Sequence, residues 1–255
     1  MPRKAALLRR LAADGPREVY EGPSGQALVA DLRAAGCAID IEDMAAYAPV
    51  WHAPARGSYR GATIHAAPGL SGGPSLLEAM AELESSLAPG PAPDAASALC
   101  YARAIRAAGE RRLRSMGHGA AGADPGCTSH VSVIDGQDNA VALTNTLLSR
   151  FGAKVVAPSA DLLMNHGMMW FDPRPGRPNS IAPGARPLTN MCPLILDTAD
   201  GATHALGAAG GRQIFPALVQ LVSYLLDYGM SPGQALHAPR IDASTPTIVV
   251  DRAAP

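Results

Sequence analysis

The run Cys127–Val156, CTSHVSVIDGQDNAVALTNTLLSRFGAKVV, contains two apolar and β-branched stretches separated by a short polar turn. Residues His130–Asp135 and Asn139–Asn145 have the composition of strands, and Gly136-Gln137-Asp138 has that of a tight turn. The run therefore predicts a β-hairpin that starts close to Thr128.

Mostly helical sequence precedes this hairpin, and a glycine-rich run, Gly117–Gly126, joins the two. That run has no apolar periodicity and predicts a mobile loop. The other predicted elements are helices at Lys4–Ala13, Gln26–Ala35, Ser75–Leu87, Ala95–Met116 and Ile214–Tyr228, short helices after Asp40 and Ser231, strands at Val50–Arg56 and Gly61–Ala66, and a proline-rich loop at Phe171–Leu188.

The composition excludes several classes of protein. The chain has 255 residues, of which 47% are hydrophobic and 17% charged, with a formal net charge of −1. This balance is typical of a globular chain with a sizeable core and argues against a basic nucleic-acid-binding protein. No apolar run approaches the roughly 20 residues of a membrane-spanning helix, and Met1–Arg10 has too short an apolar stretch for a signal peptide. We expect no nucleic acid or membrane partner, and the localisation stays open.

The cysteines and histidines show no spacing that is typical of a metal site. Cys37, Cys100, Cys127 and Cys192 form no C-x-x-C pair, and the seven histidines form no H-E-x-x-H or H-x-H motif. We therefore expect no metal and no cofactor, and we expect the thiols to be reduced and structural.

Thr128 lies where the glycine-rich loop meets the first strand of the hairpin. A threonine at this place is compatible with a purely structural role, because threonine favours strands. A chemical role is also open. Cleavage before Thr128 would expose an α-amine with a pKa of about 8. One residue would then supply a hydroxyl nucleophile and its general base.

Several separated runs resemble the γ-glutamyltransferase family of N-terminal nucleophile hydrolases, in the same order and spacing. They are CTSHVSVIDGQDNAVALTNTLLSRFGAKVV (127–156), RPLTNMCPLI (186–195), GAAGGRQI (207–214) and DYGMSPGQALHAPR (227–240). Two upstream runs, 15–61 and 68–80, look like the later part of that family's large subunit. The resemblance covers nearly the whole chain, and motifs in register make it specific.

The resemblance implies an α/β (α+β) fold, a four-layer αββα sandwich of the N-terminal nucleophile hydrolase type. Residues 1–127 would be the C-terminal part of a large-subunit-like segment, and residues 128–255 a small-subunit-like segment that begins with the nucleophile. The family's early large-subunit elements and last small-subunit strands have no counterpart here. We therefore expect an incomplete sandwich whose exposed sheet edges favour self-association.

The resemblance also implies catalytic roles. Thr128 matches the family's nucleophile, so self-cleavage would fall between Cys127 and Thr128. Thr146 matches the threonine that holds the nucleophile in place by hydrogen bonding. Gly210 and Gly211 match paired glycines whose N–H groups stabilise the oxyanion. From local sequence alone, Thr146 would be an ordinary strand residue and the glycines a turn into the next helix.

Four residues are candidate substrate contacts. Thr189 and Asn190 match positions where the family commonly has two serines that bind the glutamyl α-carboxylate, and both can form hydrogen bonds. Trp170 and His166 belong to the stretch that matches the family's binding site for the donor ammonium. These four residues define where we expect the acyl donor.

The ammonium site departs from the family pattern. Gly167 and Trp170 stand where an amide or acid and an aspartate are usual, and Leu148 replaces an asparagine. An ammonium left without a partner costs several kcal/mol, of the order needed to reverse substrate preference. We therefore expect a glutaryl-type or other acyl amide that lacks the α-amine, as in the cephalosporin-acylase-like branch of the family.

Together these observations predict a γ-glutamyltransferase-like acyltransferase or amide hydrolase. An acyl-Thr128 intermediate would be resolved by water or an acceptor amine, and self-cleavage would produce large and small subunits. The alternative is a catalytically inactive remnant, or a binding subunit that needs a complementary fragment.

Overall fold

The computed structural model describes residues 1–116 and 127–253. The predicted loop Gly117–Gly126 lies outside these residues. No helix in the described part of the chain is long and apolar enough to cross a membrane.

The secondary structure alternates between helices and short strands. The helices are α1 (Pro2–Asp14), α2 (Pro23–Ala34), α3 (Ile41–Ala46), α4 (Gly73–Ser86), α5 (Ala95–Ser115), α6 (Ile214–Leu226) and α7 (Pro232–His237). The strands are β1 (Ala55–Tyr59), β2 (Ala62–Ala66), β3 (Cys127–Ile134), β4 (Ala140–Leu148), β5 (Val156–Ala157), β6 (Leu162–Leu163), β7 (Leu194–Asp197), β8 (Thr203–Leu206), β9 (Ile241–Asp242) and β10 (Val249–Val250).

The chain forms two compact units. The first comprises Met1–His52 with Ser149–His166, and the second comprises Ala53–Leu148 with Gly167–Pro255. The predicted boundary at residue 127 is an expected cleavage point. The division into compact units does not test it, so it stays a prediction.

The first unit contains α1 to α3 and the antiparallel pair β5–β6. A capping box starts α3 as the sequence predicts, since the backbone N–H of Asp43 donates to Asp40 and that of Asp40 donates to Asp43. A small apolar core holds the unit together, formed by Leu7, Leu28, Ala157 and Ala160.

The second unit contains an antiparallel four-stranded sheet in the order β1-β2-β7-β8. Helix α4 packs on β1 and β2, and α4, α5 and α6 pack on one another. Ile64 of β2 lies opposite Leu196 of β7, and both side chains are fully buried. Leu218 of α6 is fully buried in the same core. The main hydrophobic core therefore lies between one face of this sheet and the helices.

The predicted hairpin is confirmed as the antiparallel pair β3–β4. Its turn is held by the Asp135 carboxylate, which accepts hydrogen bonds from the backbone N–H groups of Gln137 and Asn139. A hydrogen bond from the Asn139 side chain lowers the pKa of Asp135 most, and the two backbone bonds lower it further. The hairpin contacts β7 and β8 of the four-stranded sheet.

Several predicted boundaries were wrong by a few residues: β3 begins at Cys127 rather than His130, and β4 ends at Leu148 rather than Asn145. Two further differences have a clear physical reason. The first strand was expected at Val50–Arg56, but β1 is Ala55–Tyr59, because Arg60 and Gly61, both with positive φ, form the turn and set the pairing with β2. Helix α2 begins three residues before Gln26, since a proline is well suited to the first turn.

Candidate active site

Three oxygen atoms of the intact chain form a line of hydrogen bonds at the predicted cleavage point. Thr128 Oγ1 donates to Thr146 Oγ1 at 3.1 Å, and Thr146 Oγ1 donates to the carbonyl oxygen of Cys127 at 2.9 Å. The backbone N–H of Leu148 donates to Thr146 Oγ1 at 2.9 Å. Thr146 therefore links the predicted nucleophile to the carbonyl of the peptide bond that precedes it.

A β-bulge creates this arrangement. Thr128 lies opposite Thr146, but Cys127 lies opposite Leu148, so Leu147 is an extra residue on β4. Leu148 has φ of 70°, a left-handed conformation that costs a branched residue of order 1–3 kcal/mol. The irregular backbone thus lies directly beside the Cys127–Thr128 bond.

Polar side chains continue along the same face of the hairpin. His130, two residues after Thr128, has Nδ1 2.8 Å from Thr144 Oγ1 and Nε2 3.0 Å from Ser132 Oγ. Burial lowers the pKa of His130, which favours the neutral imidazole. Sequence reasoning missed this group, although the alternation of polar residues along β3 contains the signal.

The glycine loop after β8 contacts this group. A Cβ atom on Gly207 would lie 2.1 Å from two atoms of the His130 ring, so the backbone lies directly against the imidazole. Gly210 and Gly211 have φ of 133° and 58°, values that favour glycine, and Gly211 begins a 3₁₀ turn that leads into α6. The predicted turn is present, and the oxyanion role stays a prediction.

The segment with Thr189 and Asn190 lies against the turn before α4. The Thr189 backbone N–H and hydroxyl both donate to the carbonyl of Leu70, at 2.9 and 3.2 Å. A Cβ atom on Gly72 would lie 3.0 Å from the carbonyl oxygen of Asn190. Close packing of two backbones therefore holds this segment in place.

Arg112 of α5 reinforces the same contact, and sequence reasoning missed it. Its buried guanidinium donates to the carbonyl oxygens of Ser71 and Thr189. Burial, with a smaller effect of the positive charge of Arg212, lowers the pKa of Arg112 to about 10. Because both acceptors are backbone carbonyls, Arg112 fixes the position of the Thr189 segment.

Trp170 is buried at the end of a 3₁₀ turn, Gly167–Trp170, that contacts β4. The Asn179 side chain donates to the Trp170 carbonyl at 2.6 Å and accepts from the Leu188 backbone N–H at 2.9 Å. Asn179 therefore connects Trp170 with the segment that contains Thr189. The proline-rich run between them is a loop, as predicted.

His166 belongs to the first unit, unlike the other candidate residues. Its Nδ1 lies 3.4 Å from Ser149 Oγ of the same unit. Its predicted substrate role stays a prediction.

Cys37, Cys100, Cys127 and Cys192 have free thiols. Cys192 is fully buried, and burial raises the pKa of its thiol to about 12. Within residues 1–116 and 127–253, no three side chains of His, Cys, Asp or Glu form a group that could hold a metal ion.

Comparison with known proteins assigns the chain to a family. The Gamma-glutamyltranspeptidase family matches residues 1–108 and 94–253. The chain belongs to this family. Its relatives are named as hydrolase and acylase proenzymes, so the prediction of an enzyme family is confirmed.

Two curated members of the gamma-glutamyltranspeptidase family illustrate the similarity. The chain is 35% identical to the Acylase ACY 1 proenzyme of Pseudomonas sp. (strain SE83), over 98% of this chain and 51% of the relative. It is 31% identical to the Glutathione hydrolase proenzyme of Escherichia coli (strain K12), over 92% of this chain and 49% of the relative. The chain thus spans about half the length of these relatives.

A solved structure supports the fold. Cephalosporin acylase from Bacillus halodurans superposes with a TM-score of 0.80 at 22% identity, covering 99% of this chain and 52% of that chain. This similarity confirms the predicted mixed helix-and-sheet fold of the N-terminal nucleophile hydrolase type. Like the sequence relatives, the structure is about twice as long as the region it shares with this chain.

Proposed function

We propose that this gamma-glutamyltranspeptidase family member is an amide hydrolase or acyltransferase whose nucleophile is Thr128, released by cleavage after Cys127. The observation that carries the proposal is the hydrogen-bond line from Thr128 through Thr146 to the Cys127 carbonyl. The first hydrogen bond orients the hydroxyl of Thr128, and the second polarises the carbonyl of Cys127.

Maturation uses the same atoms. Thr128 Oγ1 attacks the carbonyl carbon of Cys127, a C–O bond forms, and the C–N bond of the peptide breaks. The hydroxyl proton ends on the released α-amine, while the Thr146 hydroxyl stabilises the negative oxygen that develops on Cys127. Water then hydrolyses the ester, which leaves residues 1–127 and 128–255 as the two subunits.

Turnover begins with the freed α-amine of Thr128, which accepts the proton of its own hydroxyl, directly or through water. The hydroxyl oxygen attacks the amide carbonyl of the substrate, and the N–H groups of Gly210 and Gly211 stabilise the oxyanion. The C–N bond of the substrate breaks as its nitrogen takes the proton from the Thr128 α-ammonium, and the amine leaves. Water or an acceptor amine, deprotonated by the same α-amine, then attacks the acyl carbon, and the proton returns to the hydroxyl oxygen of Thr128. The cycle requires no cofactor.

The acyl donor we propose is a glutaryl-type amide rather than a γ-glutamyl amide. Trp170 and Leu148 are both buried, and neither side chain offers a carboxylate or another hydrogen-bond acceptor to an ammonium. Thr189 and Asn190 would contact the carboxylate at the far end of the acyl chain, and a substrate contact of His166 stays a prediction. The buried apolar groups favour a donor whose α-carbon is a methylene group rather than a carbon that bears an ammonium.

The first test of the proposal is the intact mass of the purified chain after incubation near neutral pH. We expect two fragments that separate between Cys127 and Thr128, and no cleavage in Thr128→Ala. Thr128→Ser keeps the hydroxyl and should still cleave. A wild-type chain that stays whole would contradict the proposed maturation.

The second test compares glutaryl and γ-glutamyl p-nitroanilides with the matured protein. We expect a higher kcat/KM for the glutaryl compound and no turnover by Thr128→Ala. A clear preference for the γ-glutamyl compound contradicts the proposed donor, and turnover by Thr128→Ala contradicts the mechanism.

A further inference from the structure

The contact between His130 and Gly207 joins the strand of the nucleophile to the glycine loop. A Cβ atom on Gly207 would lie 2.1 Å from both Cε1 and Nδ1 of His130 and 2.5 Å from Nε2. Real side-chain atoms cannot approach a ring so closely. Only glycine therefore fits at residue 207 while the ring keeps its place.

Hydrogen bonds at both nitrogens hold the imidazole in this place. Thr144 Oγ1 lies 2.8 Å from Nδ1 on one side, and Ser132 Oγ lies 3.0 Å from Nε2 on the other. A neutral imidazole suits this environment, since one nitrogen donates, the other accepts, and a hydroxyl can meet either need. These two hydrogen bonds therefore hold the His130 side chain in one orientation.

The chain positions of these residues connect the contact to the reaction. His130 is two residues from Thr128 and shares its face of β3. Gly207 is three residues before Gly210 and follows directly after β8, which contacts β3. The ring therefore lies between the strand of the nucleophile and the start of the loop that carries the proposed oxyanion donors.

We propose that His130 is a positioning residue, which sets the glycine loop at the correct distance from Thr128 for turnover by contacting the backbone of Gly207. This inference rests on the proposed function. It assigns to His130 no proton transfer and no substrate contact, only the placement of the loop.

The structure separates this role from maturation. The carbonyl of Cys127, which is attacked during cleavage, accepts its hydrogen bond from Thr146 and not from the glycine loop. A misplaced loop therefore impairs turnover of the substrate and leaves self-cleavage intact. A residue with a merely structural role in the hairpin would affect both steps.

The test uses Gly207→Ala, His130→Ala and the double variant, with Ser129→Ala on the opposite face of β3 as the control. We expect each single variant to cleave at the wild-type rate. We expect its kcat on the preferred anilide to fall about 10- to 100-fold, somewhat less than the loss of a whole oxyanion donor, with little change in KM. The double variant should be no slower than His130→Ala, because the steric clash has lost its partner.

Different outcomes contradict different claims. An unchanged kcat in both single variants, losses that multiply in the double variant, or a matching loss of self-cleavage would each overturn the positioning role. Thermal unfolding of all four proteins, measured alongside, shows whether a variant is folded, and an unfolded single variant also overturns the role. A wild-type chain that neither matures nor hydrolyses an anilide contradicts the proposed function itself.

Discussion

Strands β2 and β3 belong to the same unit but bury opposite kinds of side chain. On β2, Ala62, Ile64 and Ala66 are at most 1% exposed and face the helices. On β3, the half-buried residues are the polar Thr128 and His130. The inward side of β2 is apolar and fully buried, whereas the inward residues of β3 are polar and only half-buried.

The outer face of the hairpin completes the contrast. Val131 pairs with Leu143 and Val133 pairs with Val141 on that face, and all four side chains are about half exposed. Apolar burial stabilises the four-stranded sheet, whereas directional hydrogen bonds set the geometry at the inner face of the hairpin. The apolar core and the proposed reaction site therefore lie on different strands of one unit.

The largest effect on stability is expected from a core substitution in the four-stranded sheet. Leu196→Ala should lower the free energy of unfolding by about 3 kcal/mol, because Leu196 is fully buried and leaves a cavity. Urea denaturation of the uncleaved Thr128→Ala protein measures this without interference from maturation. A loss below about 1 kcal/mol would show that the core is looser than its burial indicates.

The next largest effect is expected on the rate of self-cleavage at the hairpin. Thr146→Ala removes the donor to the Cys127 carbonyl and should slow self-cleavage about 100-fold, or about 2.7 kcal/mol in the barrier. Thr146→Ser keeps the hydroxyl and is the matched control. Fragment formation followed by mass spectrometry measures the rate, and equal rates in the two variants would contradict the role of the hydroxyl.

A smaller effect on stability is expected at Asn179, in the loop between Trp170 and the segment that contains Thr189. Asn179→Ala leaves the Trp170 carbonyl and the Leu188 N–H without their partner, which should cost about 2 kcal/mol of stability. Because the loop carries Trp170, we also expect a raised KM for the preferred anilide. Asn179→Asp keeps the acceptor for the Leu188 N–H but places a buried carboxylate against the Trp170 carbonyl, so it should unfold at a temperature no higher than that of Asn179→Ala.

The smallest effect is expected on the outer face of the hairpin. Val133→Thr should change the free energy of unfolding by less than about 0.5 kcal/mol, because the side chain is half exposed and threonine keeps the β-branch. Self-cleavage should be unchanged. A large loss of stability would show that this face is covered in solution, and sedimentation measurements would then test for self-association.

Much of the fold and part of the site could be predicted from the sequence. The hairpin, the α3 cap and the long helices follow from turn residues and periodicity, which act over a few neighbouring residues. Motifs in register predict Thr128 and Thr146 as site residues, and the structure has the two hydroxyls hydrogen-bonded, while their catalytic roles stay predictions. The position of β1 was missed because the turn at Arg60 and Gly61, not the strand composition, sets its register.

The family, the hairpin and the residues at the expected cleavage point can be predicted from the sequence, because they depend on local pattern and on motifs in order. Three further features follow from the packing of the folded chain: the bulge at Leu147, the contact of Gly207 with His130, and the hydrogen bond from Arg112 to the Thr189 carbonyl. Each of these joins atoms that are 18 to 77 residues apart in the chain. Such contacts depend on how whole strands and helices pack, and no local run of residues contains that information.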